Sequence, residues 1–249
     1  MVLKIIAGVV CLIISRQSFS QTCVIGKKTE EAIYVGADSR EVFTKINATT
    51  HESYDSLGST CKLYHGGKFN FAVLGQALNI EYQIARGVCE KAKTFDEAIE
   101  NFSNKFGKFL QGFLEFNRKS DPAGYNKTVE NNRPIISQTM FFGYENDSAV
   151  LAVVLFSVVN KISDTVKIAH RILYRNLAYG GYTNEIKDTI ENTKTWEPGV
   201  VATIKNLINI EAAAHPKYVG GEISILKVKP DGSVEWIPSG SHCNISGKN

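Results

Sequence analysis

The chain has 249 residues, of which 43% are apolar and 21% charged, with 20 glycines and only 6 prolines. This composition is typical of a globular protein with a substantial core, and it excludes collagen-like, low-complexity and broadly disordered proteins. The formal charge of +3 comes mostly from Lys4 and Arg16 near the start. The rest of the chain is close to neutral, which argues against a nucleic-acid partner.

The start of the chain is typical of a secretory signal peptide. A short basic segment precedes an apolar run of about ten residues, and Ser18 and Ser20 supply the small side chains that a signal peptidase requires. The run is shorter than the roughly 20 residues that a helix needs to cross a bilayer. We expect residues 1–21 to be removed by a cut after Ser20 or Gln21. Residues 22–249 are then expected to form a single secreted or periplasmic domain without a membrane span.

The cysteines fit an exported protein. Removal of Cys11 with the signal leaves Cys23, Cys61, Cys89 and Cys243, an even number in an oxidising compartment. Three disulfide pairings are possible, and buried free thiols fit the sequence equally well. The sequence contains no C-x-x-C, H-x-x-x-H or H-E-x-x-H spacing, so we expect neither a metal site nor a cofactor.

The first block of the predicted domain consists of strands. Residues 22–28 and 32–38 predict a hairpin, and residues 61–64 and 69–74 predict a strand, a turn and a second strand. The polar, Ser/Thr-rich residues 39–59 between them predict a long loop or an irregular hairpin. This block therefore supplies about four antiparallel strands.

The second block has a helical period. Apolar residues recur every four positions over residues 80–88 and every three or four positions over residues 95–113. These spacings predict two helices, and Thr94 and Glu97 form a capping box at the start of the second. The polar residues 118–133 predict a surface loop.

The remainder returns to strands and then repeats the alternation. We expect strands over residues 136–144, 149–159 and 166–174, helices over residues 183–191 and 198–214, and a closing hairpin over residues 222–229 and 233–237. Such segregated blocks predict an α+β fold in which two antiparallel sheets pack face to face with helices on their outer faces.

Short motifs at both ends of the predicted domain carry a family resemblance. Thr22 begins the first strand, and the tripeptide Asp38-Ser39-Arg40 ends the second strand with its aspartate sixteen positions after Thr22. Lys62 lies at the start of the third strand, Gly75 follows the fourth, and Tyr218-Val219-Gly220-Gly221 precedes the closing hairpin. This pattern resembles the proteasome β-type subunits, which belong to the N-terminal nucleophile (Ntn) hydrolase superfamily.

The resemblance implies a four-layer αββα sandwich of two antiparallel sheets, with threonine peptidase chemistry on a peptide or small amide. Thr22 would be the nucleophile once its α-amine is free, and that amine would be the base. A buried Lys62 held by Asp38 would lower the effective pKa of the hydroxyl. Arg40 would fix Asp38 by a charge-assisted contact, and the N–H of Gly75 would help to hold the oxyanion.

Three positions depart from the family pattern. Pro216 and Val219 stand where active members have an aspartate and a serine, and Gly180 stands in a turn that otherwise contains a serine. Two functions stay open: an exported N-terminal threonine hydrolase, or a catalytically inactive module for binding or assembly. A cut after Thr22 would instead expose Cys23 as the nucleophile, although the spacing to the aspartate then fails. Ring assembly is typical of the family, and both a homo-oligomer and a monomer are compatible with the sequence.

Overall fold

The computed structural model describes residues 22–46, 53–74, 79–129, 135–159, 165–238 and 243. The predicted signal peptide, residues 1–21, lies outside the described residues. The strands are β1 (Cys23–Lys28), β2 (Ile33–Asp38), β3 (Arg40–Ile46), β4 (Ser53–Ser59), β5 (Leu63–Gly66), β6 (Phe69–Leu74), β7 (Ser137–Glu145), β8 (Ser148–Val158), β9 (Ile168–Tyr174), β10 (Leu177–Gly181), β11 (Ile223–Val228) and β12 (Val234–Ile237). The helices are α1 (Asn79–Cys89), α2 (Phe95–Ser120), α3 (Pro122–Val129), α4 (Lys187–Ile190) and α5 (Val200–Ala214), with a 3-10 turn at Thr193–Trp196.

The strands form three antiparallel sheets. The first sheet has the strand order β10-β1-β2-β11-β12, the second has the order β5-β6-β7-β8-β9, and β3 and β4 form a separate two-stranded sheet. The prediction of a four-layer αββα sandwich of two antiparallel sheets is therefore wrong. The described chain is a mixed α/β protein with antiparallel sheets of five, two and five strands and five α-helices.

Two segments that the sequence indicated as irregular account for the extra sheet and the extra helix. Residues 39–59 contain β3 and β4, which pair antiparallel and so agree with the hairpin alternative for this segment. Residues 118–133, predicted as a loop, contain α3. Pro122 takes the first position of this helix, where its missing N–H costs nothing, and Tyr125 and Val129 are buried one turn apart.

The long helix α2 and the second sheet enclose a core rich in phenylalanine. The Thr94 hydroxyl caps the start of the helix, as predicted, by accepting the N–H of Glu97 at 3.1 Å. Phe102 and Phe106 are wholly buried, and their helical spacing places both on the sheet side. Their rings meet those of the sheet edge-on, with centroid distances of 5.1 Å for both Phe102–Phe141 and Phe106–Phe156.

Two further apolar clusters position the ends of β1 and β2. One draws buried residues from both five-stranded sheets, and the other packs α5 against β1, β2 and β11. Because β1 and β2 are antiparallel and pair Val24 with Ala37, the start of β1 lies beside the end of β2. Lys62 precedes β5, the edge strand of the second sheet. The fold thereby brings Thr22, Asp38 and Lys62 to one end of the molecule.

Candidate functional site

Asp38 is the centre of the site. It ends β2, a strand in which every residue is buried, and its carboxylate accepts four hydrogen-bonding groups. Oδ1 accepts the N–H of Cys23 at 2.9 Å, and Oδ2 accepts the N–H groups of Arg40 and Gly220, each at 3.1 Å. The ammonium of Lys62 contacts both oxygens, at 3.1 and 3.0 Å. Four donors hold this carboxylate in one orientation, so it acts as a fixed negative charge.

Lys62 is the cation that the site holds out of water. Its side chain is 3% exposed and that of Asp38 is 0% exposed. Burial lowers the pKa of the Lys62 ammonium, and the neighbouring Asp38 carboxylate acts in the opposite direction. Glu41 lies on β3, three residues after Asp38 in the sequence. Burial raises the pKa of its carboxyl, and the positive charge of Lys62 opposes that rise. The sequence-based prediction that Lys62 and Asp38 meet agrees with this geometry.

Thr22 is wholly buried and immediately precedes β1. Its carbonyl oxygen accepts the N–H of Tyr182 at 2.9 Å. Gly181 lies against the same carbonyl so closely that a Cβ there would be 1.5 Å from the oxygen, and its φ of +82° favours glycine independently. The next residue, Cys23, donates its N–H to Asp38. The backbone of Thr22 is therefore held on one side by Tyr182, the residue after β10, and on the other side, through one peptide unit, by the Asp38 carboxylate.

The tripeptide Asp38-Ser39-Arg40 is locked to the Gly220-Gly221 pair. The carbonyl of Gly220 accepts the N–H groups of Ser39 and Arg40 at 3.2 and 2.9 Å, and the Ser39 hydroxyl accepts the N–H of Glu222 at 2.9 Å. Gly220 and Gly221 have φ values of +143° and +76°, and a Cβ on either would press on the Arg40 guanidinium or on the Ser39 hydroxyl. Glycine is therefore required at both positions for this contact.

Arg40 reaches Asp38 in a different way from the one that the sequence indicated. The contact runs through the backbone N–H of Arg40, whereas its guanidinium lies over the backbone of Gly220. The role of Gly220 as a donor to Asp38 was missed in the sequence. The signal available there was the Gly-Gly pair itself, since two adjacent glycines before a strand indicate a close backbone approach.

Two of the three departures from the family pattern have a structural reason. A Cβ on Gly180 would lie 2.4 Å from the Leu74 side chain and 2.7 Å from the amide oxygen of Gln138, so a serine does not fit there without repacking. Val219 is wholly buried in the apolar cluster beneath α5. Pro216 is exposed. Apolar packing therefore replaces hydroxyl groups at positions 180 and 219.

Gly75, predicted as the oxyanion donor, lies outside the described residues. The cysteines are described: Cys61 and Cys243 form a disulfide, and Cys23 and Cys89 are free and buried. Burial raises the pKa of the Cys23 thiol well above its usual range, and the negative charge of Asp38 adds to that rise. Such a thiol carries little thiolate, which disfavours the reading of Cys23 as the nucleophile.

Other site types find no support among the described residues. None of the groups of His, Cys, Asp and Glu in the described ranges is arranged to hold a metal ion. None of the helices in that part of the chain is both long and apolar enough to cross a bilayer. An open groove of about 890 Å³ lies between the β1–β2 turn and the start of α5, and its lining includes Tyr34 and Lys205 but none of Thr22, Asp38 and Lys62.

The sequence matches no protein-family model, and it matches none of the curated proteins.

Proposed function

We propose that this chain is an exported N-terminal threonine hydrolase that cleaves an amide or peptide bond, by chemistry like that of the proteasome β-type subunits that its motifs resemble. One observation carries the proposal. Oδ1 of Asp38 accepts both the buried ammonium of Lys62 and the N–H of Cys23, the peptide group that follows Thr22. A charged pair is thereby fixed within one residue of a hydroxyl-bearing side chain.

The burial of that pair supports a chemical role. Buried ion pairs contribute little net stability, because the cost of removing two charges from water offsets most of their attraction. Perturbed, buried ionisable groups that meet at the ends of strands are more typical of functional sites. Lys62 and Asp38 meet where β2 of the first sheet approaches β5 of the second.

In the proposed reaction the α-amine of Thr22 accepts the hydroxyl proton while Oγ1 attacks the carbonyl carbon of the substrate. The amide C–N bond breaks, the leaving amine takes that proton, and the acyl group stays on Oγ1 as an ester. Water then hydrolyses the ester, which releases a carboxylic acid and restores the hydroxyl and the amine. The Lys62 ammonium stabilises the negative charge that develops on the attacking oxygen.

This chemistry requires processing of the chain. In the full-length sequence the nitrogen of Thr22 belongs to the peptide bond with Gln21, so it is not a base until that bond is cut. We propose that export and removal of residues 1–21 expose the amine, through a signal cut after Gln21 or a cut after Ser20 followed by removal of one residue.

A second candidate function is a non-catalytic module that uses the same fold for binding or assembly. Gly180 and Val219 favour it, because apolar packing occupies the positions where the family that the motifs resemble has proton-shuttling serines. The maturation state of Thr22 separates the two candidates.

The test uses the exported protein and a β-lactone, a reagent that acylates an activated hydroxyl regardless of substrate side chain. We expect N-terminal sequencing to start at Thr22 and intact mass to show one adduct, mapped to Thr22. Thr22→Ser retains the hydroxyl and the adduct, whereas Thr22→Ala loses it. Lys62→Met slows acylation by roughly 100-fold, the size of effect seen when one electrostatic stabiliser is removed. A mature chain that starts at Gln21, or an unmodified Thr22, supports the non-catalytic module instead.

A further inference from the structure

Three consecutive residues before β5 each make a long-range contact, and two of these contacts reach the end of β2. The N–H of Thr60 donates to the carbonyl of Ser39 at 2.9 Å. Lys62 forms its buried ion pair with Asp38. Between them, Cys61 forms the disulfide with Cys243, across 182 positions of the sequence.

The disulfide lies one residue from the ion pair, in the apolar cluster to which both five-stranded sheets contribute. Cys243 follows β12, an edge strand of the first sheet, and Cys61 precedes β5, an edge strand of the second. Both cysteines are buried in the apolar cluster that draws on both sheets, with 9% of Cys61 and 4% of Cys243 exposed. The covalent link therefore lies one residue from the charge that the candidate site uses.

Lys62 depends on close placement more than an apolar residue does. Its ammonium is out of water, and burial lowers its pKa while Asp38 opposes that effect. A small separation of the two sheets at this end would remove the carboxylate and admit water, and the ammonium would then be hydrated instead of paired. Because Cys61 directly precedes Lys62, a restraint on Cys61 also restrains the distance between the Lys62 ammonium and the Asp38 carboxylate.

We propose that the Cys61–Cys243 disulfide is a positioning device that keeps Lys62 on Asp38, so that the geometry of the site depends on an oxidising environment. The statement about position stands on the disulfide and the ion pair alone. Its consequence for catalysis rests on the proposed function.

Lys28 serves as an internal reference that distinguishes a local opening at Lys62 from a general loosening of the fold. The ammonium of Lys28, at the far end of β1, donates to the carbonyl of Ala149 on β8 at 3.0 Å. This contact also joins the first sheet to the second, but at the opposite end of β1 from Cys23. Lys28 is only partly buried, so its acetylation rate serves as a baseline. A local loosening at the disulfide leaves that rate unchanged, whereas a general loosening raises the rates of both lysines.

The experiment reduces the folded, processed protein with dithiothreitol and then applies a short pulse of an acetylating reagent. The dithiol gives two electrons and two protons to the cystine; the S–S bond breaks, two thiols form, and the reductant closes into its own cyclic disulfide. Mass spectrometry then measures acetylation at Lys62 and Lys28. We expect the rate at Lys62 to rise about tenfold, as for a local opening that becomes about ten times more populated, with little change at Lys28.

Two variants serve as controls. Cys61→Ala/Cys243→Ala is expected to show the same fast acetylation of Lys62 with or without reductant. Cys89→Ala removes a buried cysteine that forms no disulfide, and it is expected to behave like the unmodified protein in both conditions. Reoxidation of the reduced protein is expected to restore protection of Lys62, which decides the matter even when the double variant does not fold.

Two outcomes would overturn the proposal. The first is an unchanged rate at Lys62 after complete reduction. The second is an equal rise at Lys62 and Lys28, which would make the disulfide a general staple of the fold. Because labelling needs no turnover, the Thr22→Ala protein is expected to give the same pattern. A failure of the hydrolase proposal is therefore distinguishable from a failure of this one.

Discussion

Asp38 on β2 and Glu211 on α5 are two carboxylates that lie out of water, and they are stabilised there by different partners. Asp38 accepts three backbone N–H groups and the ammonium of Lys62. Glu211 is also wholly buried. Its Oε1 accepts the N–H groups of Glu185 and Ile186, at 2.7 and 3.1 Å, in the segment before α4.

Among the described residues, the second oxygen of Glu211 has no lysine or arginine partner comparable to Lys62. Oε2 lies 3.8 Å from Nε2 of His215, beyond hydrogen-bonding distance, and that ring nitrogen is also 3.6 Å from the carboxylate of Glu185. Glu211 thus fixes the path of a loop, while Asp38 pairs with a buried ammonium and with the peptide group that follows Thr22. Burial alone therefore does not distinguish the two carboxylates; their partners do.

The largest expected effect comes from removing the carboxylate of the charged pair. Asp38→Ala leaves the Lys62 ammonium buried without a partner, and it leaves three N–H groups unsatisfied. We expect the free energy of unfolding to fall by about 3–5 kcal/mol in urea denaturation. Asp188→Ala, at an exposed position on α4, is the control and is expected to change it by less than about 0.5 kcal/mol.

The double variant Asp38→Ala/Lys62→Met sharpens this result. Because the second substitution removes the stranded charge, the double variant is expected to be more stable than Asp38→Ala alone. A loss for Asp38→Ala no larger than that of the exposed control would contradict the view that this pair is a buried charge pair.

A smaller effect is expected at the other carboxylate. Glu211→Gln keeps an oxygen that accepts the two backbone N–H groups but loses the charge that strengthens those bonds. We expect a loss of about 1–3 kcal/mol in the free energy of unfolding. Glu100→Gln on the exposed face of α2 is the matched control. Acetylation of Lys62 is expected to stay at the unmodified rate, and a faster rate would mean that the two carboxylates are coupled.

The smallest effect is a dependence on pH. Burial holds the pKa of Lys62 below its unfolded value, so between those two values the unfolded chain binds more protons than the folded one. The contribution of Lys62 to stability therefore rises as pH increases through that window and is complete above about 10.4, the ordinary lysine value. Denaturation of the unmodified protein and of Lys62→Met at neutral and alkaline pH measures the difference between them. The free energy of unfolding of the unmodified protein minus that of Lys62→Met is expected to increase as the pH rises. A decrease would contradict the sign.

Several elements were predictable because local patterns determine them. The first hairpin follows from two short apolar runs, and the start of α2 follows from Thr94 and Glu97. Other elements depend on contacts that no short window contains. β10 was not predicted, because Leu177–Gly181 is short and rich in glycine, and only its pairing with β1 makes it a strand. Polar composition hid helix α3 in the same way, whereas the antiparallel pairing of β3 with β4 agrees with the hairpin that was one of two alternatives for residues 39–59.

Some features of the candidate site were likewise predictable from the sequence and others were not. The meeting of Asp38 and Lys62 followed from a spacing that resembles a known family, and the geometry agrees with it. The pairing of Cys61 with Cys243 did not follow, because sequence distance carries no information about which of four cysteines meet in space. The N–H of Gly220 was also missed, since a backbone donor leaves no side-chain signature in a sequence.

The attachment of Thr22 has a consequence for maturation. Its carbonyl accepts a hydrogen bond from the N–H of Tyr182 and lies in close contact with Gly181. The N–H of Cys23 donates to the Asp38 carboxylate. All of these restraints lie on the carboxyl side of the bond that a processing enzyme would sever. The threonine would keep these contacts while its nitrogen changes from an amide to an amine, so exposure of the amine would demand no rearrangement of the strands that make them.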